Sequence, residues 1–155
     1  MTFLINQLKK EEFKEYFKIR EDSLEEYQKM TGKKIGYNKK SIKKELENLI
    51  SSKNRCVLLA KDNGKMAGFI IGTKINNLFN KFGYIDDLFI SKNFRRRGIA
   101  TLLIEGFVDY LKNEDIMKLR LGVSIKNRNA LKFYKKAGFK IDYYEMEKLI
   151  KWLLK

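Results

Sequence analysis

The stretch NFRRRGIA, residues 93–100, places three arginines directly before a glycine and the apolar start of a predicted helix. The first N–H groups of a helix have no partner within it and lie at the positive end of its dipole. Gly98 lets an anion approach the backbone, Ala100 keeps the path narrow, and Arg95–Arg97 add positive charge. The spacing matches neither a dinucleotide fingerprint nor a P-loop. The segment therefore predicts either a diphosphate site or a solvated turn.

Two adjacent carboxylates, Asp86 and Asp87, interrupt the otherwise apolar run YIDDLFI. Burial or mutual repulsion in such a pair raises the pKa of one member, which suits a general base. Strand alternation sends the two to opposite faces unless a bulge intervenes, so we expect at most one to face a substrate. The alternative is a hydrogen-bonded strand end or a cation-binding rim.

The chain contains no histidine, which excludes histidine bases and most zinc or iron sites. Proton transfer must then fall to Asp, Glu, Tyr, Lys, water or a terminus, and we expect no metal. The single cysteine, Cys56, lies in the apolar run CVLLA and is interpreted as a small buried residue.

A net charge of +15 favours anionic partners, namely nucleic acid, anionic lipid or a phosphorylated cofactor. Stretches such as SIKKELENLISSK mix both signs and are typical of a solvated helix face. The aromatic residues follow apolar helix and strand patterns, so nucleic acid is the less favoured partner. No apolar run is long enough to span a membrane, and the N-terminus lacks the order of a signal peptide. We expect one cytoplasmic domain over residues 1–155.

Hydrophobic spacing predicts the elements that would position these residues. A short strand precedes a helix, straight or kinked, that ends near Gly32 and whose apolar spacing is interrupted around Glu21–Ser23. A second helix covers NKKSIKKELENLISS. Two strand-like runs flank Asn63 and Gly64, a dipeptide typical of a tight hairpin. After a loop at 76–82 come strand, helix, strand and helix, and then two final strands or a strand and a tail. The pattern predicts a mixed α/β sheet with helices on both faces.

Two blocks, YIDDLFISKNFRRRGIATLLIEGF and NRNALKFYKKAGF, together resemble the GNAT superfamily of acetyl-CoA-dependent N-acetyltransferases. The first matches its R/Q-x-x-G-x-G/A loop at Arg95, Gly98 and Ala100. The second matches its N-x-x-A-x-x-x-Y-x-x-x-G-F segment at Asn127, Ala130, Tyr134, Gly138 and Phe139. The resemblance implies a mixed, mostly antiparallel sheet of six to seven strands flanked by about four helices, with a splayed strand pair that holds the cofactor.

The resemblance also implies how acetyl-CoA would be held. The backbone of Leu88, Phe89 and Ile90 would pair with the pantetheine arm, and one free N–H there would polarise the thioester carbonyl. Asn127 would hydrogen-bond the arm, and Tyr134 would contact the cofactor and protonate the departing thiolate. The pyrophosphate would lie on the loop formed by Arg95, Arg96, Arg97, Gly98, Ile99, Ala100 and Thr101.

The activity implied is transfer of an acetyl group to a primary amine of a small molecule or protein by direct attack in a ternary complex. The base would be Asp86, Asp87 or water. Two branches of the family carry a glutamate at positions that align here with Tyr84 and Gly122, so neither glutamate is present.

We expect the acceptor, more readily a small molecule than a protein, to be enclosed by the first two helices, the 76–82 loop and the final strands. Four acidic residues of the first helix could attract a cationic amine: Glu21, Asp22, Glu25 and Glu26. The same residues are also typical of a solvated helix face. Further lining residues are expected at Tyr143, Tyr144 and Glu145.

Three questions stay open at this point. The charge also suits a basic nucleic-acid-binding module, and the same fold would serve as a non-catalytic acyl-CoA sensor. The chain is expected to be a monomer or a homodimer, the latter formed through the C-terminal strands around Trp152.

Overall fold

The computed structural model describes residues 3–148 and places a five-stranded sheet at their centre. The strands are β1 (Leu4–Gln7), β2 (Arg55–Asp62), β3 (Lys65–Asn76), β4 (Lys81–Ile90) and β5 (Leu119–Leu121). They lie in the order β1-β2-β3-β4-β5; β1 to β4 are antiparallel neighbours, and β5 joins β4 in parallel. The predicted mixed, mostly antiparallel sheet is confirmed.

Four α-helices cover this sheet: α1 (Phe13–Thr31), α2 (Lys39–Ser51), α3 (Ile99–Lys112) and α4 (Arg128–Lys136). The cluster on one face joins α1 and α2 to residues of β2 and β3 such as Leu59 and Phe69. The other cluster joins α3, with α4 packed beside it, to alternate residues such as Leu58 and Ile70. The period of two along the strands therefore gives the sheet two buried faces.

Local sequence signals account for several ends of these elements. Asn38 caps α2 by accepting from the Ser41 N–H at 2.9 Å, a contact of a type that stabilises a helix by about 1 kcal/mol. Gly32 ends α1 in the left-handed conformation at φ 72°. Asn63 and Gly64 both have positive φ between β2 and β3, which confirms the predicted hairpin.

The interruption of apolar spacing around Glu21–Ser23 does not interrupt the helix, because α1 is continuous from Phe13 to Thr31. The apolar spacing is interrupted in this part of α1 because the helix lines a polar cleft here. Arg20 is largely buried but ion-paired, and Ser23 is buried without being apolar. The interrupted spacing therefore reflects buried polar residues within a continuous helix.

Two other segments form less regular structure than expected. The strand over MKLRLGVSI shortens to three residues, because its pairing with β4 ends at Leu121 and no other strand within residues 3–148 pairs with it. Residues 140–148 form no strand, and Ile141, Tyr143 and Met146 stay exposed. The rest of the predicted final strands, including Trp152, lies outside the described residues. Within residues 3–148, no helix is long and apolar enough to span a membrane.

Candidate active site

The sheet opens between β4 and β5. The two strands pair only where Gly83–Ile85 meets Leu119–Leu121, so the second half of β4 has an edge that β5 leaves uncovered. The Ser91 N–H donates to the Ala67 carbonyl at 2.9 Å, on the β3 side. Antiparallel alternation then turns the backbone of Phe89 towards β3 and that of Leu88 and Ile90 towards the opening.

At the end of this strand the chain enters α3 through a glycine corner. Gly98 is the N-cap of α3 and adopts φ 79°, and the first helical hydrogen bond runs from the Leu102 N–H to the Gly98 carbonyl at 3.1 Å. The N–H groups of Ile99, Ala100 and Thr101 therefore point out of the helix end. A Cβ placed on Gly98 would meet nothing within 4 Å, so the corner has room for a diphosphate.

The three arginines of this corner differ in their surroundings. Arg95 donates from Nε to the Ile90 carbonyl at 2.8 Å and from one terminal nitrogen to both carboxylate oxygens of Glu26 on α1. Arg97 lies 3.5 Å from the Asp62 carboxylate. Arg96 has positive φ, is exposed, and has no ion-pair partner within residues 3–148. Arg96 is therefore available to bind an anion, whereas Arg95 and Arg97 already have acidic partners.

A bulge in β4 brings the two adjacent carboxylates to the same face of the sheet. Ile71 of β3 pairs with Asp87, and the next residue, Gly72, pairs with Ile85, which leaves Asp86 as the extra residue. The expectation that alternation separates the pair is therefore wrong. Both side chains now face α1 and α2.

Each of these carboxylates has a cationic partner that the sequence pattern did not reveal. Asp87 forms an ion pair with Arg20 of α1, whose other terminal nitrogen lies 3.1 Å from Glu45 of α2. Burial raises the pKa of Asp87, and the charge of Arg20 opposes that rise. Asp86 accepts from the Thr73 hydroxyl and lies 3.7 Å from Arg55.

Tyr134 reaches the same region from α4. Its ring packs against Phe133 and Phe139, with centroid distances of 5.2 and 5.5 Å. Burial, assisted by the negative charge of Asp87, raises the pKa of Tyr134 to about 12. The phenol is therefore protonated throughout the neutral range and is available as a donor.

Asn127 caps α4, because its side-chain oxygen accepts from the Ala130 N–H at 3.1 Å. That bond fixes the orientation of the carboxamide and leaves its nitrogen as the group that can donate to a ligand. Asn127 can therefore cap α4 and still make the hydrogen bond to the cofactor that the resemblance implies.

A cleft of about 320 Å³ joins the β4 bulge, Asn127 and Tyr134, whereas Phe89, Ile90 and the glycine corner at 95–101 are not part of its lining. Of the candidates from the sequence it is lined by Asp86, Asp87, Leu88, Asn127 and Tyr134. The α1–α2 side of the cleft adds Arg20, Ser23, Leu24, Tyr27, Met30 and Ile35. These six escaped the sequence analysis because they occupy ordinary helical and loop positions.

Several expected acceptor residues do not line this cleft. They are those of the β3–β4 connection, predicted as a loop at 76–82, and Tyr143, Tyr144 and Glu145, although Tyr143 and Glu145 lie near Tyr84. Of the acidic residues of α1, Glu25 is paired with Lys29 and Glu26 with Arg95, and Glu21 faces a different groove. The described residues also contain no group of three or more potential metal ligands.

The two positions that align with family glutamates lie against each other. A Cβ on Gly122 would be 3.0 Å from the Tyr84 hydroxyl, so the phenol fills the space of a side chain at 122. Burial raises the pKa of Tyr84, and Tyr143, Asp86 and Glu145 add to the rise. The nearest carboxylates facing the cleft are therefore those of the β4 bulge.

Comparisons with known proteins agree with this geometry. The model of the acetyltransferase (GNAT) family matches residues 5–139. An uncharacterized N-acetyltransferase of Methanocaldococcus jannaschii is 34% identical over 94 residues, which are 59% of this chain and 40% of that protein. N-alpha-acetyltransferase 30 of Schizosaccharomyces pombe is 33% identical over 82 residues, 52% of this chain and 55% of that protein. The chain thus spans about half the length of these relatives.

Among solved structures, AAC(6')-Iy in complex with the bisubstrate analogue CoA-S-monomethyl-acetylneamine superposes with a TM-score of 0.78. The superposition covers 98% of this chain and 97% of that one at 18% identity. At that identity the likeness establishes the fold alone.

Proposed function

Since this chain belongs to the acetyltransferase (GNAT) family, we propose that it transfers the acetyl group of acetyl-CoA directly to a primary amine held in the same cleft. The observation that carries the proposal is the convergence of the open β4 edge, Tyr134 and Asp87 on one cavity. Transfer without a covalent enzyme intermediate suits this site, because the lining residues include neither cysteine nor histidine.

The residues present fit acetyl-CoA, which would supply the activated acetyl thioester. The N–H groups at the start of α3 and the charge of Arg96 would hold its diphosphate. Leu88 and Ile90 would pair with the pantetheine arm along the open edge, and the Asn127 amide would donate to it. Phe89 would make no such contact, because its backbone is turned towards β3 and its side chain belongs to the core under α1.

Two side chains carry the proposed proton transfers. Asp87, directly or through water, accepts a proton from the acceptor ammonium, and the rise of its pKa through burial favours that role. Tyr134 donates to the sulfur as the carbon–sulfur bond breaks. Asp86 is the alternative base, because the bulge places it on the same face.

We propose a small primary amine, or a single amino group of a larger molecule, as the acceptor. A cleft of about 320 Å³ is at the small end of the range for ligand pockets. The carboxylates of Asp86 and Asp87 attract an ammonium group, and Tyr27, Met30 and Ile35 offer apolar contacts. The names of the relatives suggest two panels to compare, peptide N-termini and aminoglycosides.

The test is release of free CoA thiol from acetyl-CoA with polyamines, aminoglycosides, lysine derivatives and short peptides, and mass detection of the acetylated product. We expect amine-dependent release with at least one class. A thermal shift by acetyl-CoA without release on any amine supports the non-catalytic sensor instead. Neither a shift nor release contradicts the whole proposal.

A further inference from the structure

A second and larger concavity lies away from the active-site cleft. It has a volume of about 490 Å³ and lies between α1 and α2. Its lining consists of Lys14, Phe17, Lys18, Glu21, Lys40 and Lys43. We call it the α1–α2 groove.

The groove and the active-site cleft use different faces of α1. Lys14, Phe17, Lys18 and Glu21 follow the i, i+3, i+4, i+7 spacing of one helix face, whereas the cleft begins with Arg20 on the neighbouring face. A ligand in the groove therefore leaves the proposed catalytic groups uncovered.

The groove carries a strong local excess of positive charge. Four lysines face one carboxylate, that of Glu21. Lys43 lies 3.9 Å from Glu47, an exposed pair of a type that contributes little. Lys14, Lys18 and Lys40 have no acidic partner within 4.0 Å in the described part of the chain. The cations thus converge from two helices with only partial neutralisation by Glu21 and Glu47, which favours an anionic ligand.

From this arrangement we propose that the α1–α2 groove binds the sugar–phosphate backbone of single-stranded nucleic acid. A flat bilayer cannot enter a concavity between two helices, whereas a narrow chain can. Lysines on both walls would contact successive phosphates, and the ring of Phe17 between them offers a surface for a base. Lysine is a flexible point charge, so the groove would read the backbone and not the sequence.

Phe17 shows why the sequence did not favour this partner. It continues the apolar spacing of α1, and its ring packs edge-on against Phe13 with a centroid distance of 6.4 Å. Spacing alone assigns such a residue to the core. The structure shows in addition that Phe17 is partly exposed and lies among the lysines of α1 and α2.

The experiment compares two variants of equal charge in the full chain. The groove variant carries Lys14→Gln, Lys18→Gln, Lys40→Gln and Lys43→Gln. The control variant carries Lys53→Gln, Lys65→Gln, Lys112→Gln and Lys118→Gln, four exposed lysines that line neither cavity. Anisotropy of a labelled, unstructured single-stranded RNA is measured from about 50 to about 200 mM salt.

Each phosphate neutralised on a single strand contributes about 0.7 to the slope of log K against log salt. Loss of four contacts is therefore expected to reduce that slope by about 3 and to weaken binding roughly 100-fold at physiological salt. The control variant should stay close to wild type. Each exposed substitution changes stability by about 0.5 kcal/mol or less, so the thermal midpoint of either fourfold variant should fall by no more than roughly 4–8 °C.

Equal loss in both variants would overturn the proposal, because it would mean that binding depends on net charge and not on the groove. So would full competition by polyglutamate, or groove-dependent binding to phosphatidylserine vesicles but not to RNA. Thiol release with acetyl-CoA is assayed on the same preparations. It reports on the proposed acetyl transfer separately, so failure of one proposal does not imply failure of the other.

Discussion

Alanine at Gly98 should separate cofactor binding from folding, because the chain contains a matched control. Gly98 and Gly64 both have φ 79°, and a Cβ at either position would meet nothing within 4 Å. The left-handed conformation costs an L-residue about 1–2 kcal/mol, so both substitutions should destabilise the protein equally. For a domain of this size the midpoint should fall by roughly 2–8 °C in each variant.

The two variants should differ once acetyl-CoA is added. At 100 times its Kd a ligand contributes about 2.7 kcal/mol, which should raise the midpoint of wild type and Gly64→Ala by roughly 5–10 °C. The new methyl group of Gly98→Ala lies where the diphosphate would approach the start of α3. A hundredfold loss of affinity would leave the ligand near its Kd and a rise of only about 1–2 °C. An undiminished rise in Gly98→Ala would refute the placement of the diphosphate.

Three further predictions concern the neighbourhood of the site. Ionisation of the Tyr134 phenol, followed as the ultraviolet difference between wild type and Tyr134→Phe, should appear only near pH 12; a transition near pH 10 would contradict the burial argument. Gly72→Ala should lower the midpoint by several degrees, because a Cβ there would lie 2.2 Å from the Phe107 ring, and an unchanged midpoint would show that the ring moves freely. Glu26→Gln should release Arg95 and lower the KM for acetyl-CoA a few-fold at low salt. At high salt, where exposed charges are screened, the substitution should have no effect on KM. A rise in KM would mean that the ion pair positions Arg95 for the cofactor.

The order of helices, strands and turns along the chain was predictable because short-range sequence signals determine it. The Asn63-Gly64 hairpin, the end of α1 at Gly32 and the cap of α4 at Asn127 all follow from residue types whose backbone or side-chain preferences act over a few positions. The first GNAT-like block likewise predicted the glycine corner, because it spans the junction between a strand and a helix.

Features that depend on partners distant in sequence were not predictable. The β4 bulge that turns Asp86 and Asp87 to one face is fixed by the register with β3, and Phe107 packs against the neighbouring Gly72. The Arg20 ion pairs join three elements, and nothing in the spacing of α1 distinguishes that arginine from a solvated one.

The most direct test of the central claim is the kcat of Tyr134→Phe against that of Tyr110→Phe, measured with acetyl-CoA and the best acceptor amine. Tyr110 lies on α3 and does not line the cleft; its hydroxyl donates to the Lys53 carbonyl at 3.5 Å and lies beside Lys74. Loss of a general acid should lower kcat by about 10²–10⁴-fold in Tyr134→Phe, while the acetyl-CoA thermal shift persists and Tyr110→Phe stays near wild type. Equal kcat in the two variants would contradict the assignment of Tyr134 as the proton donor.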